Sequence, residues 1–313
     1  MAIRDGERPA TTGTWPAAAS GAAIPAPHAV QTRAGSRRQA RREIGRWLFW
    51  LATGLIVIWS VGPFVWVAIT SFKLDRDLAT LPPILPPQPT FQHYVNLFAG
   101  RPFYRYIINS AIVSVATTIV CLLLGTLGGY ALARLQFPGR MPILLGILAV
   151  SMFPQISVVA AIYVTLQRFG LLNTYAGLVI PYNTFALPLA IWILTSFFRG
   201  IPAELEQASQ TDGSTRLGAL FRIILPLSAP GLFTTAILVF IAAWNEFLFA
   251  LTYTSSIDHQ TIPVGIALLP AMYAIPWGDI AAASVVVTAP LIVLVLLFQR
   301  WIVQGLTAGA MKG

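Results

Sequence analysis

Six long apolar runs divide this chain, and each has the length of a helix that crosses a membrane. A membrane-spanning helix needs ~20 mostly apolar residues. The runs cover residues 47–72, 107–133, 141–166, 174–197, 229–252 and 280–301. None is long enough for two crossings, so the pattern predicts an all-α membrane protein with six transmembrane helices.

The composition agrees with this fold class. Charged residues make up 10% and apolar residues 56% of the 313 residues, and the mean hydropathy is +0.72, whereas soluble domains carry about 25% charged residues. Residues 1–45 differ, because they are rich in Ala, Pro, Gly and Thr and end in a cluster of arginines. We expect a disordered basic tail that meets anionic lipid rather than nucleic acid, followed by a transmembrane domain at 46–313.

The distribution of Lys and Arg predicts the orientation, since cytoplasmic segments carry the excess of positive charge. With the N-terminus in the cytoplasm, the cytoplasmic side holds the arginines of 33–46 and seven further Lys or Arg residues. The outer side holds five, and its loop at 253–279 has none. Both termini are therefore expected in the cytoplasm.

A polar loop at about 199–228 interrupts the fourth and fifth runs on the cytoplasmic side. Residues 203–209 predict a short helix, and Asp212 with Gly213 predicts a turn. Ser214 or Thr215 can then cap a second short helix that runs through Leu220. The residues alone leave two interpretations open, a docking device or an ordinary connector at the membrane surface.

The same loop resembles the EAA loop of ABC importer permeases. Gln207-Ala208-Ser209, three residues, Gly213, nine residues and then 223–226 (IILP) follow the family pattern EAA, x3, G, x9, I-x-L-P. Further similarity lies at 137–140 (FPGR), 243–247 (AWNEF) and 299–309, so that it covers about 45–313. Gln207 departs from the pattern because it replaces the Glu of the motif, and Ser209 replaces the last Ala.

Together these motifs resemble the maltose/trehalose type of carbohydrate permease, the six-span partner in a permease heterodimer. The resemblance implies a prokaryotic cell membrane protein that works with a homologous second permease, two copies of an ATP-binding subunit and an extracytoplasmic sugar-binding protein. In that family the loop docks on the ATP-binding subunit. The coupling residues would then be Glu204, Glu206, Gln207, Ala208, Ser209, Asp212 and Gly213.

The chain lacks the residues that ATP hydrolysis would need. A P-loop requires Gly-Lys before Ser or Thr, and neither Lys73 nor Lys312 follows a Gly. ATP and Mg²⁺ are therefore expected on a partner ATPase, with no cofactor, metal site or catalytic residue in this chain. The absence of a Ser/His/Asp set or a metal cluster also argues against a membrane-embedded enzyme.

A sugar path through an apolar bundle needs polar partners, because unpaired hydroxyl groups are costly to bury. Glu246 is the single acidic residue within the six runs. Its ionised form costs at least ~2.5–3.5 kcal/mol in hydrocarbon, so we expect it to line a cavity or to bind a neighbouring helix. The candidate path residues are Gln155, Ser157, Tyr182, Asn183, Thr184, Asn245 and Glu246.

Two other functions stay open at this point. A permease for glycerol phosphate or another polyol derivative would need a basic cavity, and the apolar runs carry almost no Lys or Arg. An ion-coupled carrier would use Glu246 as its proton site. Such carriers often contain inverted repeats, and no convincing repeat is present in this sequence.

Overall fold

The computed structural model describes residues 33–78, 83–100, 102–269 and 275–310, which form helices and turns and no strand. The first part of the predicted tail lies outside these residues. The helices in chain order are α1 (Arg33–Thr70), α2 (Asp75–Leu78), α3 (Gln92–Val95), α4 (Phe103–Arg134), α5 (Arg140–Ser151), α6 (Gln155–Arg168), α7 (Ala176–Gly200), α8 (Ala203–Thr211), α9 (Arg216–Ala219), α10 (Leu225–Leu227), α11 (Ala229–Trp244), α12 (Leu248–Tyr253), α13 (Ile262–Ala267) and α14 (Trp277–Ala310). Two π-helical turns lie at Asn96–Gly100 and Leu220–Ile224.

Four stretches of the described helices are long and apolar enough to cross a membrane alone. They are Glu43–Thr70, Phe103–Arg134, Ala176–Gly200 and Trp277–Trp301. Two bent pairs of helices pass the same test when each pair is taken together. The helices bend by 91° between α5 and α6, and by 81° between Arg216–Leu227 and α11. The chain is thus a multi-pass membrane protein, and its described residues divide into two compact units, with the boundary between Ser60 and Val61.

The third apolar run is not one continuous helix. α5 ends at Ser151, and α6 begins at Gln155 in a different direction. Pro154 lies at this break. Proline lacks the amide hydrogen that a helix interior requires, and its ring clashes with the preceding turn.

The fifth apolar run is also interrupted, since α11 ends at Trp244 and α12 begins at Leu248. The Asn245 side chain donates from Nδ2 to the carbonyl oxygen of Ile241 at 2.8 Å. The Glu246 carboxylate accepts hydrogen bonds from two backbone N–H groups of α12. Local side-chain bonds of this kind compete with a continuous helix, although the run is apolar on both sides.

α4 and α7 lie side by side and run in the same direction. At one end, the Tyr175 hydroxyl donates to Oδ1 of Asn109 at 2.8 Å. At the other end, Nη2 of Arg134 donates to the carbonyl oxygen of Ile201 at 2.8 Å. The chain between them, α5 with α6, must therefore return from the Arg134 end of the bundle to the Asn109 end.

The next two long segments alternate in direction. Phe197, near the end of α7, lies directly against Gly231 at the start of α11, so α11 runs back towards the Asn109 end. The Thr234 hydroxyl of α11 donates to the carbonyl oxygen of Trp301 of α14 at 2.9 Å. At its beginning α14 contributes Ala282 to a core with Phe103 of α4. α14 therefore runs from the Asn109 end to the Arg134 end.

Candidate functional site

The loop at 199–228 forms the predicted pair of short helices at the Arg134 end of the bundle. α8 extends to Thr211, and Gly213 follows it with a φ of 90°. Glycine adopts this left-handed conformation without steric cost. The Thr215 hydroxyl accepts a hydrogen bond from the Gly218 amide at 3.1 Å and caps α9. α9 ends at Ala219, one residue before the predicted end, where the chain becomes π-helical.

The predicted coupling residues fall on two different faces of α8 and its turn. Those on the outward face are Glu204, Gln207, Ala208, Asp212 and Gly213, and all five are exposed. Glu206 and Ser209 point inward and are buried. Only the outward set is therefore available to a partner protein.

Glu206 is held by two residues of α4 that the sequence analysis did not identify. The Tyr130 hydroxyl donates to Oε1 of Glu206 at 2.5 Å. Nε of Arg134 lies 3.4 Å from Oε2, and both side chains of this ion pair are 10% exposed. A buried carboxylate requires such a partner because an unpaired charge is costly to bury.

The predicted path residues are not all in one environment. Tyr182 and Asn183 are buried in α7, whereas Gln155, Ser157, Thr184 and Asn245 are exposed. The Tyr182 ring lies 6.4 Å from the ring of Phe249, whose backbone amide donates to the Glu246 carboxylate. The structure thus brings Tyr182 and Glu246 together beside the break in the fifth apolar run.

Glu246 binds the backbone of the helix that follows it. Its Oε1 accepts from the Phe249 amide at 2.9 Å, and its Oε2 accepts from the Ala250 amide at 3.2 Å. These amides belong to the first turn of α12, where an anion is favoured by the helix dipole. This geometry gives Glu246 a structural role in starting α12.

Aromatic rings surround this break on the side of α7. Tyr182 and Phe185 lie 6.4 Å and 5.5 Å from Phe249, measured between ring centroids. Phe249 stacks on Tyr253 at 5.5 Å. The Tyr182 hydroxyl, Oδ1 of Asn183 and Nε1 of Trp244 are buried and have no hydrogen-bond partner among the described residues.

The segment after α12 is fixed at the Asn109 end of the bundle by side chains from distant parts of the chain. Oδ1 of Asn173 accepts from the amides of Ser255 and Ser256, both at 3.0 Å. Nδ2 of Asn109 donates to the carbonyl oxygens of Ile257 and Gln260, both at 2.9 Å. The beginning of the predicted outer loop at 253–279 is therefore a rigid surface.

The fold and these two sites define a membrane-embedded helical transporter component. Residues 122–308 match the family model described as "Binding-protein-dependent transport system inner membrane component". The chain belongs to this family, and the resemblance to ABC importer permeases is confirmed. It is a permease subunit and not an enzyme.

Named relatives are similar to most of the chain. Identity is 44% over 262 residues to the trehalose/maltose transport system permease protein MalG of Thermococcus litoralis, covering 83% of this chain and 94% of the relative. The identity to the trehalose transport system permease protein SugB of Mycobacterium tuberculosis is 43% over 261 residues, and the match covers 83% of this chain and 95% of the relative. The identity to the sulfoquinovosyl glycerol transport system permease protein SmoH of Agrobacterium fabrum is 40% over 271 residues, and the match covers 86% of this chain and 95% of the relative.

A solved structure has the same fold. It is the crystal structure of a bacterial ABC transporter involved in the import of the acidic polysaccharide alginate. The TM-score is 0.69 at 21% identity, and the match covers 82% of this chain and 96% of that chain. The predicted fold class, an α-helical ABC importer permease bundle, is confirmed by this likeness.

Proposed function

We propose that this chain forms half of the membrane path of an ATP-driven, binding-protein-dependent importer for a di- or oligosaccharide of the maltose or trehalose kind. The observation that carries the proposal is the outward face of α8, which offers Gln207 and Ala208 beside a glycine turn. A small residue at 208 lets another protein approach the helix closely. The names of two relatives, which refer to trehalose and maltose, support the substrate class.

The partners follow from this assignment. A homologous second permease completes the path, and two copies of an ATP-binding subunit hold ATP and Mg²⁺ and dock on the loop at 199–228. An extracytoplasmic sugar-binding protein meets the surface that begins at 254–261.

The chain crosses the membrane of a prokaryotic cell six times, with both termini in the cytoplasm. The parallel course of α4 and α7 supports this number, because α5 and α6 together must then cross despite their bend. α11 runs opposite to α7, and α14 runs opposite to α11, which supports two further crossings. The excess of Lys and Arg at the Arg134 end supports a cytoplasmic location for that end.

A solute that contains glycerol is the second candidate, since one relative is named for sulfoquinovosyl glycerol transport. Uptake assays with labelled trehalose, maltose and glycerol 3-phosphate separate the two candidates. An ion-coupled carrier would take up its solute without ATP and would lose uptake on addition of an uncoupler.

The direct experiment is purification of the tagged chain from its native host in mild detergent. We expect an ATP-binding subunit and a second permease to co-purify, and proteoliposomes of the complex with its binding protein to take up trehalose or maltose only with ATP. Ala208→Trp should insert into the membrane but lose the ATP-binding subunit. Leu123→Trp, at an exposed apolar position of α4, is the matched control and should retain it. Equal recovery of the ATP-binding subunit from both variants would contradict docking at α8.

A further inference from the structure

We propose that Glu206 is a positioning residue that joins α8 to α4, so that a movement of α8 reaches a membrane-spanning helix directly. This inference rests on the proposed function of the loop at 199–228. It assigns the mechanical connection within that loop to one buried carboxylate. The connection bypasses the covalent route through Ile201 and Pro202.

The packing of α8 shows why its side-chain bonds to α4 matter. α8 packs mainly against α9 and the π-helical turn at Leu220–Ile224, which belong to its own loop. Among the described residues, Glu206 supplies the side-chain bonds that α8 makes to α4. Tyr130 of α4 also packs in one core with Leu220 and Ile224 of the loop, so the loop as a whole contacts α4, and Glu206 adds the bonds that hold α8 itself.

The bonds to Glu206 are of the kind that resist separation. The hydrogen bond from Tyr130 is 2.5 Å long and ends on a charged oxygen, and charge-assisted bonds of this type are about twice as strong as neutral ones. The ion pair with Arg134 is buried on both sides, so salt screens it little. Removal of one partner would leave the other charge buried and unpaired.

Arg134 extends the connection to the linker between α7 and α8. Its Nη2 donates to the carbonyl oxygen of Ile201 at 2.8 Å. In the opposite direction, Nη2 of Arg199 donates to the carbonyl oxygen of Leu132 at 3.3 Å. The last turn of α4, the end of α7 and the inner face of α8 are thus bonded to each other, and Glu206 is the α8 member.

The position of Glu206 also separates two tasks within the loop. Its neighbour Gln207 is exposed and occupies the place of the Glu in the family pattern. Glu206 has its oxygens on Tyr130 and Arg134, so it does not supply the missing acid to the docking face. We therefore assign docking to the outward residues and transmission of movement to Glu206.

The experiment follows α4 directly and does not depend on the identity of the sugar. A reporter cysteine replaces the exposed Tyr104 near the start of α4, in a Cys121→Ala background. The complex is purified with its ATP-binding subunit, and the labelling rate at position 104 is measured with and without ATP and vanadate. We expect a severalfold change in rate when Glu206 and Tyr130 are intact.

Glu206→Gln and Tyr130→Phe should each bring the ratio of the labelling rates with and without nucleotide close to one, while the ATP-binding subunit still co-purifies and hydrolyses ATP. The double variant should be no worse than Glu206→Gln alone, because Tyr130→Phe acts on a contact that Glu206→Gln already alters. Thr118→Val is the control, since among the described residues that α4 hydroxyl bonds only to the Ser114 carbonyl of its own helix, at 2.7 Å. It should keep the full change.

An unreduced change in both variants, fully additive losses, or no change in the reference protein would overturn the role of Glu206. Loss of the ATP-binding subunit from the variants would also overturn it, because Glu206 would then act in assembly. If the reference protein itself recovers no ATP-binding subunit, the proposed docking function fails first. The two failures are therefore distinguished by the pull-down that precedes labelling.

Discussion

A Cβ atom placed on Gly129 of α4 would lie 3.1 Å from the Cβ of Leu194 on α7. It would also lie 3.2 Å from the amide nitrogen of Thr195. Small residues allow membrane helices to approach this closely, and the backbones then pack against each other. The parallel pairing of α4 and α7 therefore depends on the absence of a side chain at position 129.

Gly129→Leu should lower the thermal stability of the protein in detergent. The added side chain overfills a closed contact, which typically costs about 1–3 kcal/mol. Gly146→Leu is the matched control, because nothing lies within 4 Å of a Cβ placed there. Thermal unfolding followed by circular dichroism checks the prediction, and equal midpoints for the two variants would contradict it.

The features that the sequence predicted correctly are those set by neighbours along the chain. The turn at Asp212 and Gly213 and the short helix before it follow from a few consecutive residues. The inward direction of Glu206 could not be predicted, because Tyr130 and Arg134 lie more than 70 residues earlier in the chain. Their proximity depends on the packing of α4 against α7.

The breaks in the third and fifth apolar runs could not be predicted for a different reason. Hydropathy averaged over a whole apolar run remains high across both breaks, so this average gives no signal that a helix has ended. Pro154 was a local signal, but proline is tolerated inside membrane helices, and Pro181 and Pro188 do lie inside α7. The break after Trp244 depends on hydrogen bonds from Asn245 and Glu246 to the backbone, which hydropathy does not report.

The proposed topology is tested by cysteine labelling in a Cys121→Ala background. Gly265 is a poor position because a Cβ there would lie 2.7 Å from the Tyr106 ring. Ser255 and Gln136 are exposed near opposite ends of the bundle. An impermeant maleimide added to intact cells should label Ser255→Cys, and it should label Gln136→Cys only after the cells are opened. The reverse result would contradict the orientation.

Gly213→Val should impair coupling while membrane insertion is unchanged. The φ at this position is 90°, a conformation that is unfavourable for a β-branched residue. It costs such a residue about 1–2 kcal/mol, so the turn after α8 should shift. Gly213→Asn is the matched control, since Asn tolerates the left-handed region better. The measurement is recovery of the ATP-binding subunit together with its hydrolysis rate. Wild-type values for Gly213→Val would show that the turn is not needed.

Glu246→Gln tests whether the carboxylate lines the path or only starts α12. Gln keeps one acceptor oxygen, so one of the two backbone amides of α12 retains its bond and the complex should assemble. If Glu246 lines the path, uptake of labelled trehalose or maltose should fall. Glu246→Ala leaves both amides without this acceptor, and we expect a loss of stability of about 1–3 kcal/mol.

Thr252→Val is the control for the Glu246 variants, because in the described part of the chain its hydroxyl bonds only to the Leu248 carbonyl within α12, at 2.7 Å. Uptake is measured beside recovery of the ATP-binding subunit and the thermal midpoint. Lost assembly in Glu246→Gln would make the residue structural, since the start of α12 would then need both oxygens. Reduced uptake by an assembled and stable Glu246→Gln complex would instead place the carboxylate in the path. Unchanged uptake and an unchanged midpoint in both Glu246 variants would remove it from either role.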